Sequence, residues 1–220
     1  MKQICKLVVM LLLTFTAGVQ AQLVTYPESL NPGIPHNDDY TVRVRIPGGE
    51  WKDLFEYNVQ VDMDNVQKAS MVQFDMGSVV EVMVKKNNGS VREVTIRPLS
   101  KGIEYKQVQN AILFTLEKPQ YLSIEFDGDR LHNLHLFANP LETEKYDKEA
   151  KGIMYFSPGV HRPKDLPNNQ IRIPGNTIVY LAPGAVVKAK LLVDKAENVR
   201  IIGRGILDHP ICLLYTSDAA

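Results

Sequence analysis

Six residues, Tyr155-Phe156-Ser157-Pro158-Gly159-Val160, return as Tyr180-Leu181-Ala182-Pro183-Gly184-Ala185 after 25 positions. A looser copy, Ile201-Ile202-Gly203-Arg204-Gly205-Ile206, follows 21 positions later. A repeating unit of this length, made of short apolar strands and glycine turns, is the sequence form of a solenoid. A single coil cannot bury its own apolar face, so each must stack on the next. Thr177 to Leu181, Ala185 to Val187 and Leu191 to Val193 read as three short strands per coil, and Asn198 opens a coil where Asn176 opened the previous one. Hairpins would need antiparallel partners, whereas copies that run in one order suit parallel stacking.

Upstream the grammar is different. From Tyr40 the apolar residues alternate: Tyr40, Val42, Val44 and Ile46, then Tyr57 to Met63, Val72 to Met76, and Val80 to Val84. Period two marks strands with one buried and one wet face. Pro47-Gly48-Gly49 breaks the first of them, and Asn87-Asn88-Gly89 signals a tight turn before Val91 to Ile96. Ile112 to Leu116, Leu122 to Phe126 and Leu131 to Phe137 continue the series, with Asp127-Gly128-Asp129 closing the second of these. Between Gln22 and Glu149 no helical stripe longer than about two turns is present. Short alternating strands at this density predict an antiparallel β-sandwich. Glu142 to Lys151 is charged, without apolar rhythm, and reads as a flexible linker. The expectation is therefore all-β: an N-terminal antiparallel sandwich over 22–141, a linker over 142–151, and the first coils of a right-handed parallel β-helix over 152–211.

Both ends stand apart. Lys2 and Lys6, the apolar run Leu7 to Val19 and the small residues around Ala21 form a signal peptide over 1–21, cleaved before Gln22. The run is too short for a membrane span. Residues 212–220 follow no earlier pattern and resemble the translation of a sequencing adapter, which would make the chain a truncated fragment. Cys5 leaves with the signal and Cys212 with the tail, so no disulfide is expected in the mature segment. The 25 basic and 25 acidic residues cancel, which speaks against a nucleic-acid partner. A secreted or periplasmic location follows from the signal.

Few residues invite a chemical reading. Trp51 suits the edge of a core better than a sugar platform. His132 and His135 are three apart, which on a strand sends them to opposite faces and gives no metal site. Asp38 and Asp39 are neighbours and cannot share a substrate on an extended strand. Asp208 sits at a coil turn, Asp194 lies in the same segment, and His161 and Arg162 read as capping or packing residues. No catalytic, cofactor or metal residue is assigned, and no cofactor is expected.

Three segments carry a family likeness: Leu134-His135-Leu136-Phe137-Ala138-Asn139-Pro140, Tyr155 to Pro163, and Asn198 to Asp208. Through them the chain resembles the pectin-degrading glycoside hydrolases of family 28, in the form with an N-terminal sandwich. The last two motifs fit the start of the helix better than they fix a substrate, because family 49 dextranases also join a sandwich to a β-helix. The resemblance implies a polygalacturonate substrate and inverting hydrolysis, in which a carboxylic acid protonates the leaving oxygen and a carboxylate activates water. The aspartates, Gly-His-Gly and Arg-x-Lys motifs of that family are absent, so this chain is expected to be inactive alone. A non-catalytic carbohydrate-binding or spacer sandwich, a dextranase-like fragment, and a polysaccharide lyase are the other readings.

Overall fold

Alternation becomes two packed sheets in the computed structural model, which describes residues 22–62, 64–163 and 170–208. The signal at 1–21 and the tail at 212–220 lie outside the described residues. The sandwich strands are β1 (Leu23–Thr25), β2 (Tyr40–Arg45), β3 (Lys52–Asp53), β4 (Tyr57–Val61), β5 (Gln67–Met76) and β6 (Val80–Lys86). They continue as β7 (Val94–Arg97), β8 (Tyr105–Val108), β9 (Ala111–Leu116), β10 (Gln120–Phe126) and β11 (Leu134–Pro140). One sheet has the order β1-β5-β11-β10-β7 with β4 also paired to β5, and the other β3-β2-β6-β9-β8. Inward residues of both sheets meet in one core that includes Val42, Val82, Phe74, Ile112, Ile124 and Leu136.

Two details depart from the sequence expectation. β11 runs parallel to β5, so the first sheet is mixed; all its other pairings are antiparallel. The Asn87-Asn88-Gly89 turn is real, with Gly89 at φ +74, but it does not close a hairpin. It carries the chain from β6 in one sheet to β7 in the other. Asp127 holds that crossover by accepting the backbone N–H groups of Arg92 (2.8 Å) and Glu93 (3.2 Å). Those bonds, the Arg92 one foremost, pull its carboxyl below the usual range.

The coils follow as β12 (Ile153–Phe156), β13 (Gly159–His161), β14 (Gln170–Arg172), β15 (Ile178–Leu181), β16 (Ala185–Val187), β17 (Lys190–Leu192), β18 (Arg200–Gly203) and β19 (Ile206–Leu207). They stack as three parallel sheets, β12-β15-β18, β13-β16-β19 and β14-β17. This is the start of a parallel β-helix, with Ile173, Val179, Leu181, Ala185 and Val187 in its bore. The repeat register is looser than the sequence suggests. Tyr155 faces Tyr180, 25 residues on, but Gly159 faces Ala185 rather than Gly184. Tyr180 faces Ile202 rather than Ile201. Turns of unequal length between the strands absorb these slips. Asn176 and Asn198, both left-handed at φ +56, stack with the Asn198 amide donating to the Asn176 side-chain oxygen at 2.9 Å.

Candidate functional site

The residues singled out in the sequence do not converge. His132 lies just before β11, hydrogen-bonded to Asp129 (2.9 Å) and Gln67 (3.2 Å), while His135 projects from the outer face of β11. No group of metal-holding side chains is present among the described residues. The guanidinium of Arg45 lies 4.3 Å from the Trp51 ring centre, so that ring is already stacked. Asp38 meets the His36 ring at 2.9 Å, and Asp39 is held by Asn37. In the coils, Asp194 pairs with Arg172 at 3.0 Å and Asp208 with Lys188 on the adjoining coil. His161 turns back onto the Ser157 carbonyl at 2.6 Å and its ring edge meets Phe156, a capping arrangement. Arg162 is exposed. Each of these carboxylates has a hydrogen-bonded or ion-paired partner.

The outer face of the mixed sheet does two other things. Over β4 and β5 it receives the coils. Ile34, Phe55 and Tyr57 of the sandwich pack against Val186 and Ile206 of the helix, with Met71 and Val59 beside them. Next to this apolar contact, the Arg204 side chain reaches Asp75 on the same outer face. Its Nε donates to Asp75 at 2.6 Å, its Nη2 to the Pro140 carbonyl at 2.7 Å, and its Nη1 lies 3.7 Å from Glu142. The Asp75 carboxylate also accepts the Tyr26 hydroxyl at 2.9 Å, and Gln73 donates to the Arg204 carbonyl at 2.8 Å. Burial alone would lower the Arg204 pKa; the hydrogen bond and charge of Asp75 outweigh it and raise it. Burial, with Asp75 alongside, pushes the Tyr26 phenol up.

The charged segment after β11 makes contacts with the coils. Glu142 accepts the Tyr180 hydroxyl at 3.0 Å, Tyr146 lies against the Tyr180 ring, and Glu144 pairs with Arg200 at 3.6 Å.

Over β7, β10 and β11 the same outer face is open and forms a trough of about 570 Å3. Its floor is two cross-strand rows. Tyr121 stands opposite Phe137, with ring centres 5.2 Å apart. Two residues along, Arg97, Ser123 and His135 stand in line across the three strands. Tyr121 is 56% exposed, while Phe137 and His135 are half-buried. Partial burial lowers the His135 pKa and keeps its ring neutral at pH 7. Sequence reasoning weighed His135 only as a metal ligand and Phe137 only as part of a motif, and it passed over Tyr121, yet parity held the signal. Leu122, Ile124 and Phe126 point inward, so Tyr121 is an aromatic on the wet face. Arg204 was signalled only by the glycines on either side of it.

No protein-family model matches the chain. A stretch of 70 residues is 41% identical to a dextranase from Talaromyces minioluteus and covers 28% of this chain and 12% of that protein. The structure is similar to Dex49A from Penicillium minioluteum, with a TM-score of 0.59 and 20% identity, over 83% of this chain and 47% of that one. That likeness takes in more of the chain than either part contains alone, so it extends over sandwich and coils together. The chain spans less than half the length of the proteins it matches. These matches correct the reading of a family 28 polygalacturonase: the similarity falls on a family 49 dextranase, and the pectin substrate falls with it. The misreading has a physical source. Glycine turns and stacked apolar strands serve any β-helix, so the motifs that suggested family 28 report the coil and not the sugar.

Proposed function

We propose that this chain is the front part of a dextranase-like polysaccharide hydrolase, in which the sandwich is a rigid platform for the first coils of a β-helix. The 41% identity to a dextranase carries this reading. The junction supports the platform role, because Arg204 and Asp75 join the two parts through a buried, doubly supported ion pair. Glycosidic hydrolysis needs one carboxyl group to protonate the leaving oxygen and another to activate water or attack the sugar. Asp194 and Asp208, the aspartates considered in the coil segment, are each paired with a cation, and we place the reacting pair in the part of the matched proteins' length that this chain does not span. The substrate is a neutral glucan of the dextran type.

The test is reducing-sugar release by the protein made from the full coding sequence, on dextran and on polygalacturonate. Release from dextran alone is expected, and the 22–208 segment should release nothing from either. Release from polygalacturonate alone would overturn the reading.

A further inference from the structure

From the trough on β7, β10 and β11 we infer that the sandwich itself binds a neutral glucan chain and leads it toward the coils, an inference that rests on the dextran reading above. The chemistry of the lining selects the ligand. A hexose ring presents an apolar C–H face and a rim of hydroxyls. The Tyr121 and Phe137 rings offer an apolar surface of matching kind, and polar groups stand one row away. The His135 ring nitrogens and the Tyr121 hydroxyl have no hydrogen-bond partner among the described residues. A neutral imidazole supplies one donor and one acceptor, which suits a hydroxyl that can do both.

Charge favours a neutral chain over a uronate one. Arg97 is the one charged side chain lining the trough. It donates to Glu125 at 2.7 Å, a carboxylate that lies beside it on the same face, is only 4% exposed and also sits 3.9 Å from Arg130 outside the trough. The lining therefore offers mostly apolar surface with a single, already paired cation, which suits a neutral chain better than a chain of carboxylates. Its volume of about 570 Å3 falls inside the roughly 300–1,000 Å3 of small-ligand sites. It is a shallow, open surface and not an enclosed cavity, so it does not limit a ligand to a single sugar ring.

Register supplies the direction. The row that begins with Tyr121 and Phe137 continues onto Gln73 of β5, which donates to the Arg204 carbonyl. The row of Arg97, Ser123 and His135 continues onto Met71, beside the apolar contact with the coils. Strands in a sheet lie about 4.8 Å apart, so Tyr121 is two strands, roughly 10 Å, from β5, the strand that meets the coils. A chain lying along either row runs from open sandwich surface to the flank of the coils.

The experiment is affinity electrophoresis of the full chain in gels containing dextran, polygalacturonate or no polysaccharide. Tyr121→Ala, His135→Ala and Trp51→Ala run beside the parent, and their unfolding midpoints show that each is folded. Retardation by dextran alone is expected. Tyr121→Ala should weaken it about tenfold, a change equivalent to roughly 1.4 kcal/mol. His135→Ala should weaken it less, and Trp51→Ala should leave it unchanged. Four results would overturn the inference: no retardation by dextran, equal retardation by polygalacturonate, a Tyr121→Ala protein retarded like the parent, or a Tyr121 effect on self-association instead of on dextran. Hydrolysis of dextran by the full-length enzyme is read separately. It can succeed while the trough fails, so the two proposals fall by different results.

Discussion

The sandwich and the coils are built from the same kind of strand, yet they bury it by different logic. In the sandwich two inner faces close on each other, and Val42, Val82, Ile124 and Leu136 are fully buried without help from any other part of the chain. In the coils each rung covers the one before it. Val179 is fully buried beneath Ile201, but Ile201 itself is 48% exposed, and Leu207, stacked on the fully buried Val187, is 47% exposed. Sideways the coils also lean on the sandwich, through Val186, Ile206 and Arg204. A closed core is self-sufficient, while a stack is only as stable as its neighbours and its base.

The largest expected effect strikes the closed core. Phe74→Ala should cost about 3–5 kcal/mol in chemical denaturation and lower the stability of sandwich and coils together, because both depend on the sheet that carries Phe74. A loss confined to the coils would break the distinction. Gly203→Ala comes next. At φ +125, an added Cβ would lie 2.0 Å from the Leu181 carbonyl oxygen of the coil beneath. It should cost about 2–3 kcal/mol, seen as lost near-ultraviolet signal and increased proteolysis of the coils with the sandwich intact.

A smaller effect separates the parts by pH. Burial raises the pKa of Glu56, partly offset by the N–H groups of Val42 and Glu56 and by His36. A raised folded-state pKa means that the protonated carboxyl favours the fold. Its contribution is complete below the ordinary carboxylate value and is lost as pH climbs through the raised one. Glu56→Gln, neutral throughout, should unfold a few degrees higher than the parent at pH 7, and the gap should close toward pH 4. A constant gap would refute the assignment. Smallest is Asn198→Ala, which removes one rung of the asparagine stack and should cost about 0.5–1 kcal/mol.

Much of this contrast was legible in the residues. Alternation from Tyr40 to Phe126 marked the faces of the sandwich strands, and the three short strands around Tyr180, Val186 and Leu191 were placed to within a residue. β8 escaped because it is a fully exposed edge strand, and β1 because it has only three residues. The parallel pairing of β5 and β11 left no mark, since side-chain alternation is the same in either direction. The slips at Gly159 and Tyr180 came from turn lengths that a repeat of one fixed period cannot represent. At the site, the outward parity of Tyr121 was present but unused. The ion pair of Asp75 and Arg204 joins residues 129 positions apart, and nothing local to either could have announced the other.

Hydrogen–deuterium exchange on the Arg204→Ala chain tests most directly whether the sandwich folds alone and the coils depend on it. Removing the guanidinium leaves Asp75 buried without its cation, at a cost of about 3 kcal/mol. Protection should fall in β15, β16 and β18 while β2, β6 and β10 exchange as in the parent. Equal loss in both regions, or unchanged protection of the coils, would contradict it.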